Sequence, residues 1–274
     1  MKTFLNAMGV TCSLGTGKHA VATALFGAAG HGLSVHEGWV PGRPLALGAV
    51  TTPLPPAPPG MDAQDTRNNR LLLSAAMEID VELRAAVARF GAERVAVIIG
   101  TSTTGIEEAT ANIASRGRHG SWPEAYRYSD QELSAPATFL AAWLGTSGPA
   151  YGISTACTSS ARALLSAQRL LKLGVCDAVV CGGADTLCRL ATNGFHALEA
   201  LSSERCTPFS ADRRGIHIGE AAAVFLMTRD EAPSPFSVAP LPPMRITCPR
   251  PIRTAGARVM PCDAPWHPAT WTQR

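Results

Sequence analysis

Tyr151-Gly152-Ile153-Ser154-Thr155-Ala156-Cys157-Thr158-Ser159-Ser160 is the stretch from which the rest of the chain is read. Gly148-Pro149-Ala150 before it is a turn signal followed by a short half-apolar strand. After it, Ala161 to Leu173 places Ala163, Leu164, Ala167, Leu170 and Leu171 at helical spacing, with Arg162, Arg169 and Lys172 on the other face. Cys157 therefore stands where a strand hands over to a helix, and Thr158, Ser159 or Ser160 is available as N-cap. Unpaired N–H groups and the helix dipole favour an anion at such a place, and the thiolate is the nucleophilic form of cysteine. The same position also suits a small buried cysteine that only packs. The local pattern leaves both uses open.

Outward from this unit the pattern is of strands alternating with helices. Ala92 to Gly100, centred on Val95-Ala96-Val97-Ile98-Ile99, is apolar on both faces, as a central parallel strand is. Thr101-Ser102-Thr103-Thr104-Gly105 then turns the chain into a helix from Ile106 to Ala114. Such a turn either holds a phosphate or carbonyl or simply joins two elements. Asp65 to Arg89 reads as one long helix stopped at Gly91, and Leu133 to Leu144 as a short one, with a polar surface excursion from Arg116 to Asp130 between. Further strands are expected at Phe4–Leu14, Asp177–Gly182 and Ala221–Met227, and further helices at His19–Ala29 and around Gly194–Leu198. Thr51 to Gly60 holds five prolines and is a loop. Gly15-Thr16-Gly17-Lys18 lacks the Walker spacing, because Cys12 and His19 stand where glycine and Ser or Thr are required. The alternation argues for an α/β layered fold.

Composition narrows the function classes. The 274 residues are 46% hydrophobic and 16% charged, ample for a large core, and the net charge of +3 with no long basic run argues against nucleic acid. Residues 1–30 carry no apolar signal segment, so a cytoplasmic protein is expected and the eight cysteines read as reduced. Cys176, Cys181 and Cys188 are irregularly spaced and bring no histidine pair, so no metal site is expected. The uncharged part of the run from Leu133 to Ala161 is broken by Pro136, Gly145, Gly148 and Pro149 and does not read as a membrane span.

Three stretches, in order, resemble the β-ketoacyl-ACP synthases, condensing enzymes of the thiolase fold. Ser154–Ser160 is similar to their active-site stretch. Cys181-Gly182-Gly183-Ala184-Asp185 is similar to their glycine-rich strand end. Cys206-Thr207-Pro208-Phe209-Ser210-Ala211-Asp212-Arg213-Arg214-Gly215-Ile216-His217-Ile218-Gly219-Glu220-Ala221-Ala222 is similar to their C-x-P-F-D-x-x-R-D-G-F-x-x-G-E-G-A signature. The resemblance implies a thiolase-like layered fold, of which residues 1–230 are the N-terminal αβα half. It implies that Cys157 takes an acyl group from acyl carrier protein, with its own N–H as one oxyanion donor. Malonyl-ACP is then decarboxylated and its carbanion attacks the acyl thioester. By the same resemblance the turn at Thr104 and Gly105 lies near the acyl pocket at a dimer interface, and Phe195 lies in an acyl-gate-like helix. The family implies acyl carrier protein as partner, a homodimer or heterodimer, and no cofactor. Ser210, Arg214 and Ala221 depart from its signature.

In the resembled family two histidines, a lysine and a G-F-G-G-x-N loop complete the condensation, and none of these motifs occurs here; His196, His217 and His267 do not stand in for them. Slow self-acylation without condensation is therefore the expectation, together with poor solubility from an uncovered apolar face. A chain-length-factor-like partner without catalysis, a remnant that only binds, and a CoA-dependent thiolase are the alternatives. From residue 231 the composition shifts: ten of the 21 prolines and five arginines follow Asp230. Residues 231–274 read as a disordered or out-of-frame tail. With suitable codons, Pro242–Arg253 read two nucleotides later gives Ala-Asp-Ala-His-His-Val-Ser-Ala-Pro-Asp-Pro, similar to the D-A-H-H-x-x-x-P-x-P stretch of the family.

Overall fold

The computed structural model describes residues 2–27 and 32–230. The expected tail, 231–274, lies outside the described residues. The first strand, β1 (Phe4–Cys12), turns tightly into the short β2 (Gly15–Thr16) and then into α1 (Lys18–Phe26). A hairpin follows, β3 (Ser34–Val40) and β4 (Arg43–Leu47), which the sequence reading did not expect. Its register joins Val40 to Arg43 across Pro41-Gly42, with Gly42 at φ 67°. Proline fixes the first corner of that turn and glycine supplies the left-handed second. After the proline-rich loop come α2 (Arg67–Met77), α3 (Asp80–Phe90), β5 (Val95–Gly100), α4 (Ile106–His119), α5 (Ala135–Leu144), β6 (Ala150–Ile153), α6 (Ser159–Lys172), β7 (Ala178–Asp185), α7 (Arg189–Ala197) and β8 (Ala221–Thr228).

Six strands form one mixed sheet in the order β2-β1-β8-β7-β5-β6. β5 is parallel to both β6 and β7, whereas β8 is antiparallel to β7 and to β1. The expected parallel strand covered on both faces is found, one place in from the sheet edge: Val95 to Ile99 are fully buried. Side chains alternate between the two faces. Val95, Val97, Ile99 and Val180 join Leu71, Leu72, Ala75, Leu83 and Leu140 of α2, α3 and α5 in one core cluster. α6 packs on β5 and β7 from the other face, burying Ala163, Ala167 and Leu171. This is the layered α/β arrangement expected from the sequence.

Asp65–Arg89 is corrected from one helix to two. α2 ends at Met77 and α3 starts at Asp80, with Ile79 at φ −132° between them. Ile79 and Leu83 remain buried in the same core as α2, so the apolar rhythm runs across the break and hides it. The helix after Thr101–Gly105 also runs further than expected, to His119, where Arg116, Arg118 and His119 lie in its last turn and Gly120 caps it at φ 78°. Among the described residues no helix is long and apolar enough to cross a membrane.

Candidate functional site

β5, β6 and β7 run in the same direction, and their carboxyl ends share a level: Gly100 pairs with Ile153 on one side and Gly183 on the other. The carboxyl edge of parallel strands is where α/β sheets place ligands. Glycine at two of these ends decides how close α6 comes. A Cβ on Gly100 would overlap the backbone of Ser159 and Ser160, and one on Gly183 would overlap Ser160 Oγ and lie 2.8 Å from Gly100 O. The start of α6 therefore sits directly on the sheet.

Between β6 and α6 the chain makes a tight loop with Ala156 in the left-handed region, φ 53°. An L-residue there is uncommon and costs roughly 1–2 kcal/mol. Thr158 occupies the N-cap position, but its hydroxyl does not cap the helix. It donates back to Thr155 O at 2.9 Å and lies 2.9 Å from Thr155 Oγ1. The expected side-chain N-cap is therefore corrected: the left-handed residue turns the Thr155 carbonyl toward Thr158. Ser159 is buried, and its hydroxyl accepts from Thr155 N–H at 2.9 Å and donates to Ala156 O at 2.6 Å. Cys157 is a free thiol at the surface, in a run from Ser154 to Thr158 that is exposed throughout. The purely packing reading of this cysteine does not describe it.

The other cysteines differ. Cys12 and Cys206 are half-buried, and Cys176, Cys181 and Cys188 are buried. Burial pushes the thiols of those three above the ordinary range, because a thiolate there would lose its hydration.

The structure brings Thr104 and Gly105 to the same sheet edge. Thr101 N–H donates to Ile153 O at 3.0 Å, so the turn after β5 flanks the turn after β6. Thr104, at φ 44°, is buried, and its N–H donates to Thr101 Oγ1 at 3.3 Å. Gly105 N–H donates to Asp130 O at 2.8 Å, and a Cβ there would lie 2.8 Å from that oxygen. Asp185, at the end of β7, ties this turn down: its Oδ1 accepts from Ser102 N–H at 2.6 Å and from the hydroxyls of Thr103 and Thr101 at 3.1 and 3.3 Å. Sequence reasoning gave Ser102 no role and saw Asp185 only within its motif; the strand-end carboxylate beside a Thr-rich turn was the signal available. Phe195 packs from α7 on a second core of Val40, Leu45, Leu47, Leu187 and Leu201.

The Cys206–Gly219 stretch is a loop whose feet are joined: Ser202 N–H donates to Ile216 O at 3.0 Å and Ile216 N–H to Ala200 O at 2.8 Å. His217 Nε2 accepts the Cys206 N–H at 3.2 Å, a structural use of that histidine. The loop frames a cavity of about 780 Å³ lined by Cys206, Phe209, Ile216 and His217 among others. At its end, Glu220 is buried and saturated. It accepts from Val50 N–H at 2.9 Å and Leu187 N–H at 3.2 Å, and pairs with the Arg67 guanidinium. That pairing raises the Arg67 pKa. Among the described residues no group of three His, Cys, Asp or Glu side chains is placed to hold a metal.

The sequence that builds this arrangement matches the family model "Beta-ketoacyl synthase, N-terminal domain" over residues 60–232. The chain belongs to this family. Among curated relatives, it is 36% identical over 95 residues to Nodulation protein E of Rhizobium leguminosarum bv. trifolii, covering 34% of this chain and 24% of that protein. It is 36% identical over 88 residues to 3-oxoacyl-[acyl-carrier-protein] synthase 2 of Rhizobium meliloti (strain 1021), covering 29% of this chain and 21% of that protein. A solved structure of the ketosynthase ApeO in complex with its chain length factor ApeC from Xenorhabdus doucetiae superposes with a TM-score of 0.77 at 44% identity, over 85% of this chain and 59% of that one. The chain thus spans about a quarter of the length of these two curated relatives and over half of the matched chain of that complex.

Proposed function

We propose that this chain performs the acyl-accepting half of β-ketoacyl synthase chemistry, with Cys157 as the nucleophile. The thiolate attacks the carbonyl of an acyl thioester, the carbonyl electron pair moves onto oxygen, and the tetrahedral intermediate collapses with release of the carrier's thiolate. The backbone N–H of Cys157, just before α6, is one donor to the oxyanion. The carrying observation is the exposure of Cys157 at the β6–α6 junction while Cys176, Cys181 and Cys188 are buried. Acyl carrier protein is the proposed donor, by analogy with the synthase named above. Thr104 and Gly105 act by shaping the turn beside the acyl group. Phe195, on α7, contacts the acyl group, by analogy with its place in the resembled family. Decarboxylative condensation is not assigned to this chain alone, because it lacks the motifs that carry the decarboxylating histidines.

β6 supports the proposed pairing with a second ketosynthase-fold chain, a copy or a chain-length-factor-like subunit. Among the described residues it is the last strand of its sheet and pairs only with β5, so its other edge offers backbone groups for pairing. Acyl transfer is tested by incubating the full chain with an acyl-pantetheine thioester and weighing the protein. One acyl group per chain, absent in Cys157→Ala, is the expected result. Equal acylation of wild type and Cys157→Ala contradicts the proposal, as does a folded wild-type chain that takes up no acyl group.

A further inference from the structure

We propose that Ser159 is a positioning residue that clamps the Cys157 loop; the proposal rests on the reading of Cys157 as nucleophile. Its hydroxyl is 2% exposed at the residue level and reaches across the strained residue rather than along the helix. It accepts the Thr155 N–H at 2.9 Å and donates to Ala156 O at 2.6 Å, so one oxygen binds the 154–155 peptide and the 156–157 peptide and spans the left-handed Ala156 between them. Ser159 N–H adds a backbone bond to the same Ala156 carbonyl at 3.0 Å. A left-handed alanine persists only where its surroundings over-determine it. These three bonds supply that determination, and they set the direction in which Cys157, the next residue, leaves the chain.

The clamp is itself anchored. With its single proton committed to Ala156 O, Ser159 Oγ can only accept from any further partner. Ser102 Oγ lies 3.4 Å away, a long contact in which Ser102 must be the donor. Ser102 is in turn fixed by its N–H bond to Asp185 Oδ1 at 2.6 Å. The ends of β5 and β7 thus hold the loop after β6. Cys157 needs no contact with Ser159 for this effect; the serine acts through the backbone of residues 155 and 156.

Three variants of the full chain test the clamp: Ser159→Ala, Ser159→Thr and Ser102→Ala. Acylation of Cys157 by an acyl-pantetheine thioester requires a placed thiolate and oxyanion donors. Its rate is expected to fall on the order of tenfold to a hundredfold in Ser159→Ala. Alkylation of the same thiol by iodoacetamide, which needs no oxyanion site, is expected to change by less than about threefold. Ser159→Thr restores the hydroxyl and with it most of the acylation rate. Ser102→Ala, which removes only the long contact, costs less than Ser159→Ala. Amide hydrogen exchange reads the clamp independently: Thr155 loses about fivefold of its protection in Ser159→Ala, the factor of one net hydrogen bond, while Ile98 in β5 keeps its own. A Ser159→Ala chain that acylates at the wild-type rate with Thr155 still protected overturns the clamp. A wild-type chain that alkylates but never acylates overturns the function of Cys157 instead, and the clamp then stands or falls on Thr155 protection.

Discussion

Two stretches of the family's sequence pattern, the loop of Cys157 and the strand entry at Glu220, are built in opposite ways. Around Cys157 every residue from Ser154 to Thr158 is exposed, and short hydrogen bonds from Thr158 and Ser159 hold the backbone. At Glu220 the carboxylate is buried, takes two backbone N–H groups from Val50 and Leu187, and pairs with Arg67. The first offers a reactive atom to something outside. The second spends a charged side chain on joining three segments of the scaffold. Residue type alone therefore does not separate chemistry from architecture here; burial and saturation do.

The contrast breaks most visibly at Glu220. Glu220→Ala leaves two buried N–H groups without acceptors and frees Arg67, whose side chain is 42% exposed and can rehydrate. A loss of about 3 kcal/mol is expected, read as a lower denaturation midpoint. Next comes the sheet edge. Gly183→Ala drives a methyl into Ser160 Oγ. It should cost about 1–3 kcal/mol, and it should also slow acylation, since it displaces the start of α6.

These two effects bear on what was legible beforehand. β5 was readable because five apolar residues in a row fit only a strand covered on both faces. The strand–thiol–helix unit was readable from local pattern, and three ordered motifs added the family. The break between α2 and α3 was not, because the apolar spacing continues through Ile79 and no Gly or Pro marks the change. The β3–β4 hairpin was missed although Pro41-Gly42 signalled its turn, because its outer positions carry no clear alternation. Within the site, Cys157 and the flanking turn at Thr104 and Gly105 could be found from sequence. The Asp185–Ser102–Ser159 contacts could not, since they join three strand ends distant in the chain. Phe195 was assigned to the acyl site from its place in the resembled family, and its packing against Leu45 and Leu201 depends on a hairpin the sequence reading lacked.

Smaller effects sharpen the comparison. Burial raises the thiols of Cys176, Cys181 and Cys188. In the unfolded chain those thiols ionise near the usual value of about 8.5, while in the folded chain burial moves their ionisation to higher pH. Stability from this source is thus complete below about pH 8.5 and falls as the pH rises further; denaturation midpoints at pH 7.5 and 9.5 measure it. In native protein at pH 8, a disulfide reagent should modify Cys157 first among the cysteines of the described residues, with Cys176, Cys181 and Cys188 reacting only on unfolding. Smallest of all, Cys157→Ser should shift stability by no more than about 0.5 kcal/mol, because its side chain supports nothing.

The central claim is that Cys157, the one fully exposed thiol among the described residues, accepts the acyl group. Peptide mapping of the native chain after exposure to acyl-loaded carrier protein tests it most directly. The acyl group is predicted on the peptide carrying Cys157 alone. Acylation of Cys206 instead, or of several cysteines in proportion to their exposure, would contradict the account.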